Sequence, residues 1–176
     1  MTREEWLAKG LELFATRGAY GLRVDHLARA LDIAKSGFYC HFEGKDDLLD
    51  QILKYWEIQY TEVITKDHEL MNISAKERLQ ISARMIFELN LAEYDAAIDI
   101  WSRSDTRVAL SRKQVMNTRL KFFRDAFEEL GFHGDDLEMR TRTCAVFQMG
   151  ERQTLGPGLK ASETYRNLRL ELLIGK

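Results

Sequence analysis

The stretch GLRVDHLARALDIAKSGFYCHFEGK, residues 21–45, decides the fold of this chain. It holds two short amphipathic segments, Val24 to Ala30 and Ala34 to His41, separated by Leu31-Asp32-Ile33. Helices of only about seven residues bury too little surface to stand alone, so they must pack on a longer neighbour as a helix-turn-helix. Leu22, Leu27, Ala28, Leu31, Ile33, Phe38 and Phe42 are the positions that hold such a unit together. Lys35, Ser36, Gly37, Tyr39, Cys40 and His41 are left outside on the second segment. They are donors and a flat aromatic with almost no acid, as phosphate contact and base-edge reading require.

Working outward, Thr2 and Glu5 form a capping box that opens a helix with Trp6, Gly10, Leu13 and Phe14 on one face. Arg17-Gly18 closes it, with the glycine able to take positive φ. A long amphipathic helix is predicted from Lys45 to about Asp67, carrying Leu48, Leu49, Ile52, Leu53 and Trp56. Ser74 and Glu77 form a second capping box, for a helix to about Glu93. Further helices are expected from Asp95 to Trp101, from Ala109 to Leu130 before Gly131, and from Asp135 or Asp136 to Leu155. After Gly156-Pro157-Gly158, the last begins near Ser162 and runs to Ile174. The expectation is an all-α chain of about nine helices, without strand, repeat or low-complexity segment.

Composition agrees. Of 176 residues, 45% are hydrophobic, 31% are charged and one, Pro157, is proline, so helix breakers are nearly absent. No apolar run approaches the ~18–20 residues that cross a bilayer. The charged start is not that of a secretory signal, and two cysteines fit a reducing cytoplasm. Lys and Arg number 26 against 28 Asp and Glu, a balance that taken alone argues against a nucleic-acid partner. Placement reverses that inference: residues 23–45 carry four basic and three acidic groups, while acids gather on the first helix and at Asp46 and Asp47. The latter two lie in the first turn of a helix, where they complement its dipole.

Phe14-Ala15-x-Arg17-Gly18, Leu27-Ala28, Lys35-x-Gly37-x-Tyr39-x-His41-Phe42 and Lys45-x-x-Leu48-Leu49 together resemble the amino-terminal DNA-binding domain of the TetR family of transcriptional regulators. The resemblance covers about the first 50 residues, many spaced positions agreeing over that span. It implies a helix-turn-helix head over residues 1–46 and a helical ligand-binding and dimerisation domain over 47–176. It further implies a homodimer that binds a palindromic double-stranded DNA operator, usually represses, and is released by a small-molecule effector. By resemblance, Tyr39 presses its hydroxyl to a phosphate and Lys45 meets the backbone from the start of the next helix. Lys35, Ser36 and Gly37 approach base edges or phosphates, and His41 lies along the backbone. Arg23 and Val24 replace hydroxyl residues common in the family, with Arg23 a stronger phosphate donor than the lost threonine. Cys40 is a second departure. For Tyr39 with Lys45 the bland alternative is an exposed aromatic beside a solvated lysine; for His41 it is a structural bond at a helix end.

Cys40, His41 and His26 lack the further ligands a metal site needs, no cofactor is expected, and no nucleophile–base pair or phosphate loop points to an enzyme. Cys144 reads as a buried inert thiol. In the second domain Tyr60, Phe87, Asn90, Trp101, Asn117, Phe147 and Gln148 are candidate ligand contacts, with Arg119 a further intruding polar group. Met139, Met149, Leu168 and Leu172 are candidates for a two-fold interface, by family analogy and from operator symmetry. Alternatives are a DNA-binding regulator that answers a protein partner or oxidation at Cys144, and a helical carrier or enzyme.

Overall fold

The computed structural model describes residues 1–155 and 163–175, and all their regular structure is helical. The chain falls into two compact units: residues 1–59 with 94–112, and residues 60–93 with 113–176. Gly156-Pro157-Gly158 and the start near Ser162 lie outside the described residues.

In the first unit, α1 (Arg3–Gly21) begins at the expected capping box, the Thr2 hydroxyl accepting from Glu5 N–H and the Glu5 carboxylate from Thr2 N–H. Gly18 interrupts it at φ 68°, a conformation that suits glycine and lets the chain turn toward α2 (Val24–Ala30). Gly10 serves another purpose. A Cβ there would stand 2.9 Å from Ile52 Cδ1, so the missing side chain permits close packing of α1 on α3 (Lys45–Glu57). The second segment of the motif is not an α-helix: Lys35–Cys40 form a 3₁₀ helix, η1. Trp6 of α1 fills the space inside it, edge-on to Phe38 at 5.6 Å and to Phe42 at 6.5 Å between ring centroids.

The helix expected to run unbroken from Lys45 to about Asp67 is interrupted. After α3 the backbone takes a π turn over Ile58–Glu62, then α4 (Val63–Thr65), and Asp67 caps the short α5 (His68–Met71). Nothing in the local sequence marks this, because a π turn is sustained by tertiary partners. The widened turn gives Arg119 Nη2 the Tyr60 carbonyl at 3.0 Å, and Arg119 Nε donates to the Thr61 hydroxyl at 2.9 Å. π turns of this kind recur at functional sites.

α6 (Ala75–Glu88) starts at the second capping box but stops before the expected Glu93. Asn90 at φ 52° turns the chain, its amide donating to Glu93, toward α7 (Asp95–Ser102). α7 returns to the first unit, where the Asp95 carboxylate accepts from Trp56 Nε1 at 3.1 Å and Trp101 packs on Phe14 at 4.9 Å. α8 (Thr106–Glu129) ends before Gly131, α9 (Gly134–Leu155) follows, and α10 (Glu163–Ile174) comes last. The core of the second unit is Leu79, Phe122, Phe123, Phe127, Cys144 and Leu173 with their neighbours.

Candidate nucleic-acid interface

The first unit presents most of the expected DNA-contact positions at its surface. Arg23, Lys35, Ser36, Tyr39 and Cys40 are exposed, and Val24, Gly37, His41 and Lys45 are half-buried. The pattern follows from the core beneath: Phe38 and Phe42 are buried and stacked at 5.0 Å, which turns the intervening residues outward. Tyr39 stands 58% exposed, its ring edge-on to Phe38 at 5.3 Å, so its base is held while its hydroxyl reaches solvent. Lys45 lies in the first turn of α3, with Nζ 3.5 Å from the Tyr20 carbonyl. His41 closes η1 through its own N–H, which donates to the Phe38 carbonyl at 3.0 Å. Gly37 has space: a Cβ there would meet only Trp6 at 3.9 Å.

Charge within this face is partly self-neutralised. Lys35 Nζ pairs with Asp25 at 2.8 Å and Arg23 lies 3.8 Å from the same carboxylate. The Lys35 hydrogen bond and charge hold Asp25 below the usual carboxylate range, and Asp25 raises Lys35. The depressed Asp25 makes the pair's small contribution present above the ordinary carboxylate range and lost as pH falls through its lowered pKa. The raised Lys35 contribution is lost only at the alkaline end. Both groups are exposed, so the pair is weak and exchangeable. A phosphate approaching Lys35 competes with Asp25.

Asp47 has a structural task. Its carboxylate accepts from Gln51 at 2.6 Å and from Glu43 N–H at 2.9 Å, and both bonds hold it below the usual range. It replaces the cap that Gly44 cannot provide. Sequence reasoning misses Arg29, although it is exposed and lines one shallow groove with Asp25, Asp32 and Lys35. The available signal is a basic residue in the last turn of α2, and helix-dipole complementarity explains it equally well.

The ligand candidates scatter. Tyr60 lines an apolar cavity of about 30 Å³ with Thr61, Ile64, Ile86, Phe122, Phe123, Met149 and the buried Arg119. Trp101 belongs instead to the core of the first unit, because α7 leaves the second. Asn117 is exposed on α8, and Asn90 is spent in its turn. Phe87 is 40% exposed under the Arg166 guanidinium. Phe147 and Gln148 line a separate narrow crevice beside Cys144. Of the dimer candidates, Met139, Leu168 and Leu172 are exposed, Leu172 by 80%. Met149 points inward, its sulfur 3.4 Å from Arg119 Nη1, because α9 puts it on the cavity side.

Cys144 is 3% exposed and desolvation pushes its thiol up to about 12, whereas Cys40 is exposed. A thiol-specific reagent at neutral pH is expected to modify Cys40 in the native protein and to reach Cys144 only after unfolding. Equal native modification of both, counted by mass spectrometry, would contradict this burial. No group of three His, Cys, Asp or Glu suited to a metal occurs among the described residues, and no described helix is long and apolar enough to cross a membrane.

A three-helix head with this outward row on its third element is the arrangement of a helix-turn-helix domain. Residues 7–52 match the family described as "Bacterial regulatory proteins, tetR family". That match is to the amino-terminal domain of the family and covers about a quarter of the chain. The chain is 30% identical over 78 residues to the HTH-type transcriptional repressor DhaR of Mycobacterium sp. (strain GP1), a match spanning 44% of this chain and 39% of DhaR. The chain thus matches about two-fifths of that relative's length. The fold is shared with the regulator FadR of Bacillus subtilis, solved with stearoyl-CoA, at TM-score 0.69 and 17% identity over 99% of this chain and 98% of that one. PfmR of Thermus thermophilus gives TM-score 0.70 and 18% identity over 96% of each chain.

Proposed function

We propose that this regulator binds a palindromic operator as a homodimer, represses, and releases the DNA when a small molecule enters its second domain. The observation that carries the reading is the outward row from Lys35 to His41 with Lys45, set on a core of Trp6, Phe38 and Phe42. Residues 1–46 serve as the DNA head and 47–176 as the effector and dimerisation part, a functional division that need not follow the two packing units. Arg23 and Val24 flank the start of α2, Lys35, Ser36, Gly37 and Cys40 face the groove, and Tyr39, His41 and Lys45 hold phosphates. This is a binding function, exercised in the cytoplasm, and not an enzymatic one.

Two features support the remaining parts. Val146, Leu168, Leu172 and Met139 leave apolar side chains exposed on α9 and α10, as an isologous helix pairing between two copies would cover. The cavity beside the π turn is apolar apart from Thr61, Thr65 and Arg119. At about 30 Å³ it exceeds by only a little the ~10–15 Å³ that holds one water, so an effector must displace Met149 or its neighbours. Met149, unbranched and flexible, is suited to that. DhaR's name as a repressor favours repression, and the stearoyl-CoA in complex with FadR supports a fold with room for a large ligand.

The test is gel retardation with DNA from beside the gene, together with sedimentation. A dimer that retards a palindrome with steep salt dependence is the expected result. A monomer that retards no neighbouring fragment would overturn the reading.

A further inference from the structure

We propose that Asp25 is a specificity-determining residue of the DNA head, accepting from the amino group of a cytosine while Lys35 takes the guanine paired with it. The inference rests on the operator reading above and assigns one base pair in each half-site. Asp25 lies in the first turn of α2 and Lys35 opens η1, and the Lys35 ammonium stands 2.8 Å from Asp25 Oδ1. Their side chains are 49% and 43% exposed, Lys35 the more so, and the pair lies open to an approaching duplex. Arg23 comes only to 3.8 Å from Oδ2, beyond hydrogen-bond reach.

A carboxylate set between two cations weakens their attraction to every phosphate, whatever the sequence. Such a cost becomes discrimination only where the right sequence gives something back. The Lys35 hydrogen bond and charge hold Asp25 below the usual carboxylate range, so at neutral pH it is ionised and only accepts. In the major groove guanine O6 and N7, adenine N7 and thymine O4 are acceptors and repel it. The donors there are cytosine N4 and adenine N6.

Lys35 decides between those two donors. An ammonium has three N–H groups, of which one meets Asp25 and two remain. Guanine offers O6 and N7 together, and its partner cytosine places N4 beside O6 on the same edge. Thymine paired with adenine offers O4 alone, next to a methyl group. The ion pair therefore matches G·C, with lysine donors on guanine and a carboxylate acceptor on cytosine. A carboxylate has about four acceptor sites and the ammonium fills one, so the bond between Asp25 and Lys35 survives while both read.

The test is selection of bound duplexes from a randomised DNA library by the full chain, read by sequencing, with Asp25→Ala and Asp25→Asn alongside. The parent is expected to select G·C at one symmetry-related position in each half-site. Asp25→Ala is expected to lose that preference alone, discrimination there falling about fivefold or more, the usual range for one base pair. Its affinity for random duplex should rise, with a salt dependence steeper by about 0.9 for each Lys35 that turns to a phosphate. Asp25→Asn keeps the shape of the side chain but offers a donor beside its acceptor, and is expected to select adenine there. An ion pair with a merely structural role would leave the selected sequence unchanged in both variants, whatever their affinity, and that result would overturn the proposal. A parent that selects no sequence would overturn both this inference and the operator reading.

Discussion

Trp6→Ala is expected to destabilise the DNA head by about 3–5 kcal/mol, the range for emptying a large aromatic from a packed interior. Trp6 is fully buried and touches Phe38 and Phe42, the two rings that orient η1. A 3₁₀ helix of six residues has little stability of its own, so its outward row is set by what lies beneath it. Operator binding should therefore fall with stability, although Trp6 touches no DNA in the proposed reading. Trp6→Phe separates packing from polarity. The indole Nε1 is buried without a hydrogen-bond partner, so phenylalanine sacrifices no bond and is expected to cost less than about 1.5 kcal/mol. Denaturant melts of both variants check this. A Trp6→Ala protein as stable as the parent would show that Phe38 and Phe42 hold η1 without it.

The second large effect concerns DNA directly. Tyr39→Phe removes only a hydroxyl from a side chain whose ring is already held by Phe38, so folding should be unaffected. A hydrogen bond to a charged group is worth about 1.5–3 kcal/mol, and each operator would lose two, one per half-site. Lys45→Ala removes a point charge instead. Its signature is a flatter dependence of affinity on salt, by about 0.9 for each phosphate that the lysine no longer neutralises. Retardation assays across a salt series distinguish the two variants. If Tyr39→Phe binds as tightly as the parent and Lys45→Ala keeps the full slope, neither residue meets a phosphate.

Lys35 shows how far such positions are legible in the sequence. Its exposure follows from the burial of Phe38, which the apolar spacing already indicates. Its pairing with Asp25 is not legible, because the partners are ten residues apart and meet only when η1 turns back along α2. Trp101 teaches the same lesson for the effector site. An aromatic on an amphipathic helix is legible as buried, but the unit that buries it depends on where α7 packs.

By itself the sequence determined the helical class, both capping boxes, the break at Gly18 and the exposed row of the head. Those features rest on local rules: side-chain oxygens meeting the first amides of a helix, glycine at positive φ, and apolar residues recurring with the helical period. Tertiary structure alone decided the 3₁₀ form of η1, the π turn that gives Arg119 its partners and the inward Met149. Each depends on a group distant in the chain, Trp6 beneath η1 or Arg119 beside the π turn and Met149. Local periodicity says which face of a helix is apolar, but not which neighbour will cover it.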